Sequence, residues 1–150
     1  MKAVIQRVSF ASVETNNKII GKINNGFLIL LGVCDGDAQN DVDKLLNKIP
    51  FLRIFTDEND KMNLSLLDTD GEALVVSQFT LCADCSHGRR PSFINSAGPA
   101  AANELYESFI SGMKKAGVKN VQTGQFGADM KVSLLNDGPV TIILDSKELK

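Results

Sequence analysis

The stretch GFLILLGV, residues 26–33, is the segment around which we predict the fold to form. It is a short, continuous apolar run, and a run of this kind is typical of a strand that is buried on both faces. A strand buried in this way needs further strands beside it and other elements packed on it. The chain on either side of this stretch therefore has to supply them.

The residues before this strand predict further strands, and those after it predict a helix. The helix is indicated by apolar residues at helical spacing in NDVDKLLNKI, residues 40–49, and Pro50 ends it. The predicted preceding strands are residues 2–8 and a hairpin that joins Ser12–Thr15 to Lys18–Ile23 through Asn16 and Asn17.

The rest of the chain alternates strand patterns with one long amphipathic helix. The helix lies in AAANELYESFISGMKKAG, where Ala102, Leu105, Tyr106, Phe109, Ile110 and Met113 form one apolar stripe. The predicted strands are 51–55, 72–81, 118–123, 129–135 and 139–145. No internal repeat or linker interrupts residues 1–150, so we predict a single α+β domain. Its core is a mostly antiparallel, barrel-like sheet with two main helices.

Composition limits the classes of protein to consider. The chain is 43% hydrophobic and 23% charged, which is typical of a soluble globular domain. A net charge of −2 argues against coating nucleic acid through bulk charge, although HGRR at residues 87–90 is a local basic cluster. Arg7 and Ser9 interrupt any signal-peptide core near the N-terminus, so we expect a cytoplasmic protein.

The three cysteines, Cys34, Cys82 and Cys85, are expected to be reduced thiols, because their number is odd and no signal peptide is indicated. Cys82, Cys85 and the only histidine, His87, lie close together in CADCSH. A structural zinc site needs four ligands, and a redox pair needs a helix N-terminus that this loop-like segment does not predict. We therefore expect neither a metal nor a cofactor.

Possible catalytic residues are limited by the single histidine, which excludes most triads and multi-ligand metal sites. The polar residues of VVSQFTLCAD are the main alternative, because they follow a strongly apolar run. In a continuous strand Gln78 and Thr80 would share one face, and Ser77 and Phe79 the other. The residues alone leave two possibilities open: these polar groups are used in chemistry, or they only mark the end of the strand.

A second interrupted apolar segment is LLNDGPVTIILD, residues 134–145. Asn136, Asp137, Gly138 and Pro139 each favour tight turns, so the local sequence predicts a hairpin turn between two strands.

Together, SQFTL at 77–81 and NDGPVT at 136–141 resemble the two signature motifs of the D-aminoacyl-tRNA deacylase family, in the same order. The similarity extends over the chain through AVIQRVSFASV, GRRPSF, ELYESF and TGQFGADMKVSLLNDGPVT. It implies hydrolysis of the ester between a D-amino acid and the terminal adenosine of tRNA, which frees the tRNA for correct charging. It also implies a homodimer with its active sites at the interface.

The resemblance further implies the roles of individual residues. The Gly138–Pro139 peptide would be cis and would enter the partner subunit's pocket, beside the segment from Ser77 to Leu81. Its carbonyls would exclude L-amino acids, whereas glycine, which lacks a side chain, would not be well excluded. The Phe79 N–H would stabilise an oxyanion, Gln78 and Thr80 would orient the ester or a water, and the 2′-hydroxyl of the tRNA would assist. The alternative is that Thr80 acts as the nucleophile.

Other candidates each have a structural alternative. Arg7 would brace the Gly-Pro segment or lie on the surface of an edge strand, and Arg89 and Arg90 would contact the tRNA acceptor end or only solvent. Met130 and Phe126 would line the adenosine pocket or belong to the core, as would Ala102. Two rival functions stay open: a non-catalytic RNA-binding protein of the same fold, and a small-molecule esterase that needs no RNA.

Overall fold

The strands of the main sheet are arranged around the buried stretch quoted above. The computed structural model describes residues 1–150. Its strands are β1 (Lys2–Thr15), β2 (Lys18–Ile23), β3 (Gly26–Gly32), β4 (Phe55–Thr56), β5 (Met62–Leu64), β6 (Glu72–Ser77), β7 (Val121–Thr123) and β8 (Lys131–Asp145). Its helices are α1 (Gln39–Leu46) and α2 (Pro99–Lys115), with two 3-10 helices at Ile49–Phe51 and Phe79–Cys82.

Strand β3 is the middle strand of the order β2-β1-β3-β6-β7, and β8 pairs with β1 in addition. All but one of the β3 residues are buried, which confirms the predicted central strand. Strand β1 pairs antiparallel with β2, β3 and β8, whereas the β3–β6 and β6–β7 pairs are parallel. The predicted α+β class with two main helices is confirmed.

The two faces of this sheet bury two separate groups of side chains. Phe27 and Ile29 of β3 belong to a large cluster that includes residues of α1 and α2, and Leu28 belongs to a smaller cluster with Val8 and Leu74. Neighbouring residues of a strand point to opposite faces of the sheet. The helices cover the face with the large cluster, and the buried residues of the smaller cluster on the other face all come from strands. Neither helix is long and apolar enough to span a membrane.

The helix α2 has the predicted apolar stripe. Ala102, Tyr106, Phe109, Ile110 and Met113 are all buried. The helix ends before Gly117, whose φ of +108° is the left-handed geometry that glycine favours just beyond a helix C-terminus.

The predicted strand at residues 51–55 is wrong. Ile49–Phe51 forms a 3-10 helix with Pro50 at its start, and strand structure is limited to Phe55 and Thr56. Leu52, Ile54 and Phe55 pack against the core without pairing in the main sheet, whereas Phe51 is exposed. An apolar pattern reports burial, and in this short segment burial does not require a strand.

The predicted strand at 72–81 is too long, because β6 ends at Ser77. The Leu81 N–H donates to the Gln78 carbonyl at 3.2 Å and the Ala83 N–H donates to the Thr80 carbonyl at 3.1 Å, so the chain turns into a 3-10 helix. The predicted alternation of faces beyond Ser77 is therefore wrong. We refer to residues Phe79–Cys82 below as the site helix.

The hairpin turn predicted at Asn136–Pro139 is also wrong. Strand β8 is continuous, and both of its halves pair with β1: Thr141 lies opposite Gln6, and Asn136 lies opposite Val8. Residues 137–140 thus bulge out opposite the single residue Arg7. We call residues 137–140 the β8 bulge.

The expectation of three reduced thiols is wrong as well. Cys34 and Cys82 form a disulfide, and only Cys85 is free and exposed. Cys34 follows β3 and Cys82 closes the site helix, so folding brings together two thiols that are 48 residues apart in sequence. An odd number of cysteines shows only that at least one of them has no partner within the chain.

A buried polar cluster joins the start of the chain to α1 and to the turn after β8. The Met1 ammonium lies 2.7 Å from an Asp37 carboxylate oxygen and donates to the Ser146 hydroxyl, which donates to Asp41 at 2.7 Å. Burial disfavours the ionised form of Asp41. Hydrogen bonds from the Ser146 hydroxyl, the Ala38 N–H and Lys147 outweigh burial and lower the pKa of Asp41 to about 2.

This cluster predicts a loss of stability in acid. Because the pKa of Asp41 is lowered on folding, its contribution is complete above the ordinary pKa of 3.8 and is lost as the pH falls toward 2. Asp41→Asn is expected to remove up to about 2 kcal/mol of unfolding free energy at neutral pH and to flatten the pH dependence. Urea unfolding from neutral to acidic pH measures this, with the exposed Asp43→Asn on the same helix as the control. Parallel pH curves for wild type and Asp41→Asn would contradict the assignment.

Candidate active site

A cavity of about 500 Å³ opens where β6 ends. It lies between the ends of β3 and β6, the start of α2 and the segment that leads into β8. Its lining residues are Leu31, Val33, Val76, Ser77, Gln78, Phe79, Ser96, Ala97, Pro99, Ala102, Tyr106, Phe126, Gly127, Ala128, Asp129, Met130 and Val132. Ser77, Gln78, Phe79 and Met130, all named from the sequence, therefore share one concave site, together with Phe126 and Ala102.

Gln78 joins the strand to the site helix and fixes the direction in which the chain turns. Its backbone N–H donates to the Leu31 carbonyl at 2.8 Å, which continues the pairing of β6 with β3 by one residue. Its side-chain amide donates to the Thr80 hydroxyl at 2.5 Å. Thr80 itself is exposed and does not line the cavity. The amide and the hydroxyl thus form one polar pair at the edge of the site.

The backbone N–H of Phe79 has no hydrogen-bond acceptor in the structure. Phe79 is the first residue of the site helix, and the first N–H groups of any helix lack an acceptor within that helix. Since Phe79 also lines the cavity, a free backbone donor lies beside it. A donor of this kind can stabilise negative charge that develops on an oxygen atom.

Two side-chain hydroxyls support this region in roles that were not identified from the sequence. The Ser96 hydroxyl donates to the Phe79 carbonyl at 3.2 Å, and the Tyr106 hydroxyl donates to the Val75 carbonyl at 2.8 Å. Burial and the nearby Glu107 raise the pKa of Tyr106. The only available signal was indirect: the single tyrosine falls on the buried stripe of α2, where its hydroxyl needs a partner.

The second signature segment, the β8 bulge, lies outside this cavity. Gly138 and Pro139 are exposed, and the peptide bond between them is cis. Arg7 donates from Nε to the Asp137 carbonyl at 2.8 Å and from Nη1 to the Ile54 carbonyl at 2.7 Å. On the other side of the bulge, the Asn136 side-chain oxygen accepts from the Val140 N–H at 2.7 Å. The bulge is thus held from both sides and projects to the surface.

The segment after β6 and the β8 bulge contain the two sequence motifs that resemble those of one family. The family model for D-Tyr-tRNA(Tyr) deacylase matches residues 4–145. The chain belongs to this family. A D-aminoacyl-tRNA deacylase of Thermosipho africanus (strain TCF52B) is 58% identical over 149 residues, and 99% of each chain is covered. One of Clostridioides difficile (strain 630) is 59% identical over 148 residues, again with 99% of each chain covered.

Solved structures agree with the deacylase fold. The c-Myc DNA Unwinding Element Binding Protein superposes with a TM-score of 0.92 at 39% identity, over 97% of this chain and 98% of that chain. A probable eukaryotic D-amino acid tRNA deacylase superposes with a TM-score of 0.74 at 19% identity, over 95% and 97%. The second likeness concerns the fold alone. Family membership and the identity to these relatives show that the chain is an enzyme of a hydrolase family.

The remaining candidates do not line the cavity. Leu81 is half-buried in the site helix, whereas Arg89 and Arg90 are exposed in the loop that follows. His87, the only histidine, contacts the Ser86 hydroxyl through Nδ1 at 2.7 Å. No group of three His, Cys, Asp or Glu side chains is placed to hold a metal ion.

Proposed function

We propose that this protein hydrolyses the ester that joins a D-amino acid to the terminal adenosine of tRNA and so releases the amino acid and free tRNA. The observation that carries the proposal is the unused Phe79 N–H at the cavity, in a site without a histidine base. Ester hydrolysis passes through a tetrahedral oxyanion, and backbone donors fixed in place are well suited to stabilise it.

In the proposed mechanism the chain supplies position and electrostatics. The Phe79 N–H stabilises the oxyanion, and the amide of Gln78 with the hydroxyl of Thr80 orients the ester or the attacking water. The 2′-hydroxyl of the terminal adenosine assists the reaction. Ser77 and Met130 lie in the wall of the same cavity, where they would contact the substrate.

A mechanism with Thr80 as the nucleophile is less favoured. The only hydrogen-bond partner of its hydroxyl is the Gln78 amide, which is a donor and cannot accept a proton. A hydroxyl without an adjacent base is poorly activated. The only histidine contacts Ser86 instead.

Chirality is proposed to be read by a second copy of the chain. Gly138 and Pro139 are exposed and absent from the lining of their own cavity, so their proposed place is the partner's cavity. Exposed apolar side chains on β1 and β8 support a homodimer through this region: Phe10 is 41% exposed, Leu135 55% and Ile143 74%. Backbone carbonyls of the bulge would leave no room for an L side chain, whereas glycine would be admitted. We therefore expect glycine mischarged on tRNA-Ala to be removed as well.

The proposal covers the whole chain as one deacylase domain and places it in the cytoplasm, where aminoacyl-tRNA is made and used. Its role there is proofreading, because removing a D-amino acid returns the tRNA for correct charging.

The function is tested by incubating an excess of the protein with D-Tyr-tRNA and with L-Tyr-tRNA. We expect the D ester to be lost and the L ester to survive. If both esters survive while the RNA is bound, the non-catalytic alternative is correct. Undiminished cleavage of D-Tyr-tRNA with a 2′-deoxy terminal adenosine would contradict assistance by the 2′-hydroxyl and would favour an RNA-independent esterase.

The chirality filter predicts the effect of Gly138→Ala. A Cβ at this position, where φ is +144°, would lie 2.8 Å from the Val140 Cγ2 atom and 3.0 Å from the Arg7 Nη2 atom. The bulge would have to move, and a displacement near 1 Å changes rates by roughly 100-fold at a fitted site. We expect slower cleavage of D-Tyr-tRNA and a D-to-L rate ratio reduced by roughly tenfold or more. The matched control is Gly36→Ala, which has a φ of +77° but no neighbouring atom within 4 Å.

The filter assignment would be wrong if Gly138→Ala kept the wild-type ratio. If Gly36→Ala lost as much activity as Gly138→Ala, the effect would be due to backbone strain in general.

A further inference from the structure

Two phenylalanine rings are exposed together at the mouth of the cavity. Phe79 and Phe93 meet edge to face, with ring centroids 5.1 Å apart and an interplanar angle of 69°. Phe79 is 56% exposed and Phe93 is 41% exposed, although each belongs to a residue type that is usually buried. Phe79 lines the cavity and Phe93 does not, so the pair extends from the site to the outer surface.

The segment that carries Phe93 is held in place at both ends. Asp84 and Ser92 exchange two backbone hydrogen bonds, of 2.8 and 2.9 Å, which close the loop between them. Beyond Phe93, the Asp35 N–H donates to the Asn95 carbonyl at 2.8 Å, and the Ala97 N–H donates to the Val33 carbonyl at 3.1 Å. The ring therefore lies on a fixed segment, so the protein would lose little conformational entropy when a ligand binds to it.

The loop closed in this way also carries positive charge. Arg89 and Arg90 are exposed, and neither forms an ion pair with a carboxylate of the chain. The only acidic residue at the base of this loop, Asp84, accepts a hydrogen bond from the Ser86 N–H at 2.9 Å. Two guanidinium groups without an ion pair lie in the loop that leads directly to the exposed Phe93. This combination suits a ligand that has both anionic groups and flat apolar faces. Single-stranded nucleic acid has this combination.

We propose that Phe93, together with Phe79, stacks a base of the single-stranded 3′ end of tRNA just before the terminal adenosine. Arg89 and Arg90 contact the phosphates of that strand. The inference rests on the proposed function. If the terminal aminoacyl-adenosine occupies the cavity, the nucleotides before this adenosine must lie outside the cavity, at its mouth. We call Phe79, Phe93, Arg89 and Arg90 the stacking platform.

The proposed homodimer already places the partner's β8 bulge beside Phe79, so the other possible occupant of the surface at Phe93 is a further contact with a second copy of the chain. Charge favours RNA, because two copies joined about a two-fold axis through this patch would bring their own Arg89 and Arg90 pairs together. A polyanion instead gains from both arginines.

The decisive experiment compares two substrates that differ only in the nucleotides before the terminal adenosine. Phe93→Ala is expected to raise KM for D-Tyr-tRNA by roughly tenfold with kcat little changed. For 3′-O-D-tyrosyl-adenosine, which has no preceding nucleotide, kcat/KM should be unchanged. Phe93→Trp should restore KM, whereas Phe93→Leu should not, because it has no aromatic face. Phe51→Ala is the matched control, since Phe51 is 52% exposed and lies outside the platform.

An equal loss on both substrates would overturn the proposal, since Phe93 would then act only by supporting Phe79. No loss on either substrate would overturn it too. A change in sedimentation of Phe93→Ala toward monomer would assign the surface to a second copy. If the wild type cleaves neither substrate, the proposed function fails. Weaker binding of a labelled single-stranded RNA ending in CCA by Phe93→Ala would still support the platform, and equal binding would refute it.

The arginines are tested by salt dependence. Each phosphate contact on a single strand contributes roughly 0.7 to the slope of log affinity against log salt. Replacing Arg89 and Arg90 together with alanine should lower that slope for D-Tyr-tRNA by about 1.4, if each contacts one phosphate. Lys114→Ala with Lys115→Ala, another pair of adjacent exposed cations, is the control for net charge. Equal slopes in the two double variants would contradict the phosphate contacts.

Discussion

Phe79→Pro is expected to lower kcat for D-Tyr-tRNA by roughly 100- to 1000-fold relative to Phe79→Ala. Both variants lack the aromatic ring, and only the proline variant lacks the backbone N–H that would stabilise the oxyanion. The two variants therefore isolate the donor from the ring. Single-turnover hydrolysis with excess enzyme measures the difference in the chemical step.

The position of Phe79 makes this substitution structurally mild. Proline is accepted at the first residue of a helix, where the N–H has no intrahelical acceptor. Gln78, with φ of −144° and ψ of 80°, lies outside the helical region that a following proline disfavours. Thermal unfolding of both variants controls for damage to the fold.

Thr80→Ala completes the series because it separates the two mechanisms. Loss of an orienting hydroxyl should slow turnover, whereas loss of a nucleophile should nearly abolish it. Equal rates for Phe79→Pro and Phe79→Ala would remove the oxyanion assignment. Near-complete loss in Thr80→Ala together with that result would favour the nucleophile mechanism.

Removing the disulfide is expected to have the largest effect on stability. Cys82→Ala opens a crosslink between residues 48 apart, and a native crosslink of this span contributes about 2–4 kcal/mol. We expect Tm to fall by roughly 10 °C under non-reducing conditions. Differential scanning calorimetry measures this change.

The control for the disulfide is Cys85→Ala, which removes the exposed free thiol and should leave Tm unchanged. A dithiol reductant should lower the Tm of the wild type and of Cys85→Ala, but not that of Cys82→Ala. Alkylation of unreduced, unfolded wild type should modify one cysteine of the three. Three modified cysteines and a Tm insensitive to reductant would show that the crosslink is absent in solution.

Elements defined by local patterns were predictable from the sequence. The apolar run of β3, the two asparagines at 16 and 17, and the stripe of α2 each contain the information for one element. Asn16 and Asn17 have φ of 50° and 60°, a left-handed geometry that asparagine tolerates better than most residues. No distant contact is needed to specify these elements.

Elements that depend on distant partners were not predictable in this way. Residues 134–145 contain every local signal for a turn, yet both sides of the interruption pair with the same strand, β1. The alternating pattern after Ser77 likewise suggested more strand, although β3 offers Gln78 its last pairing contact through Leu31. Cys34 and Cys82 meet only because β3 and β6 lie side by side.

The candidate site was located by motif resemblance, and the residues that support it were not. Gln78 and Phe79 belong to a recognisable motif, but nothing in the local sequence links Ser96 to the Phe79 carbonyl. The unused N–H of Phe79 is a backbone property and has no side-chain signature. The family resemblance alone named it, and the end of β6 at Ser77 shows why it has no acceptor.

Both halves of β8 pair with the same strand, β1, on either side of the β8 bulge. Side chains alternate along a strand, so a shift of one residue in the pairing of either half would turn its side chains to the opposite face. Ile142 would then leave the core that it contacts now. A bulge, in contrast, accommodates residues that have no partner in the opposite strand. Changes of length are therefore tolerated within residues 137–140 and are excluded from the strand on either side of them.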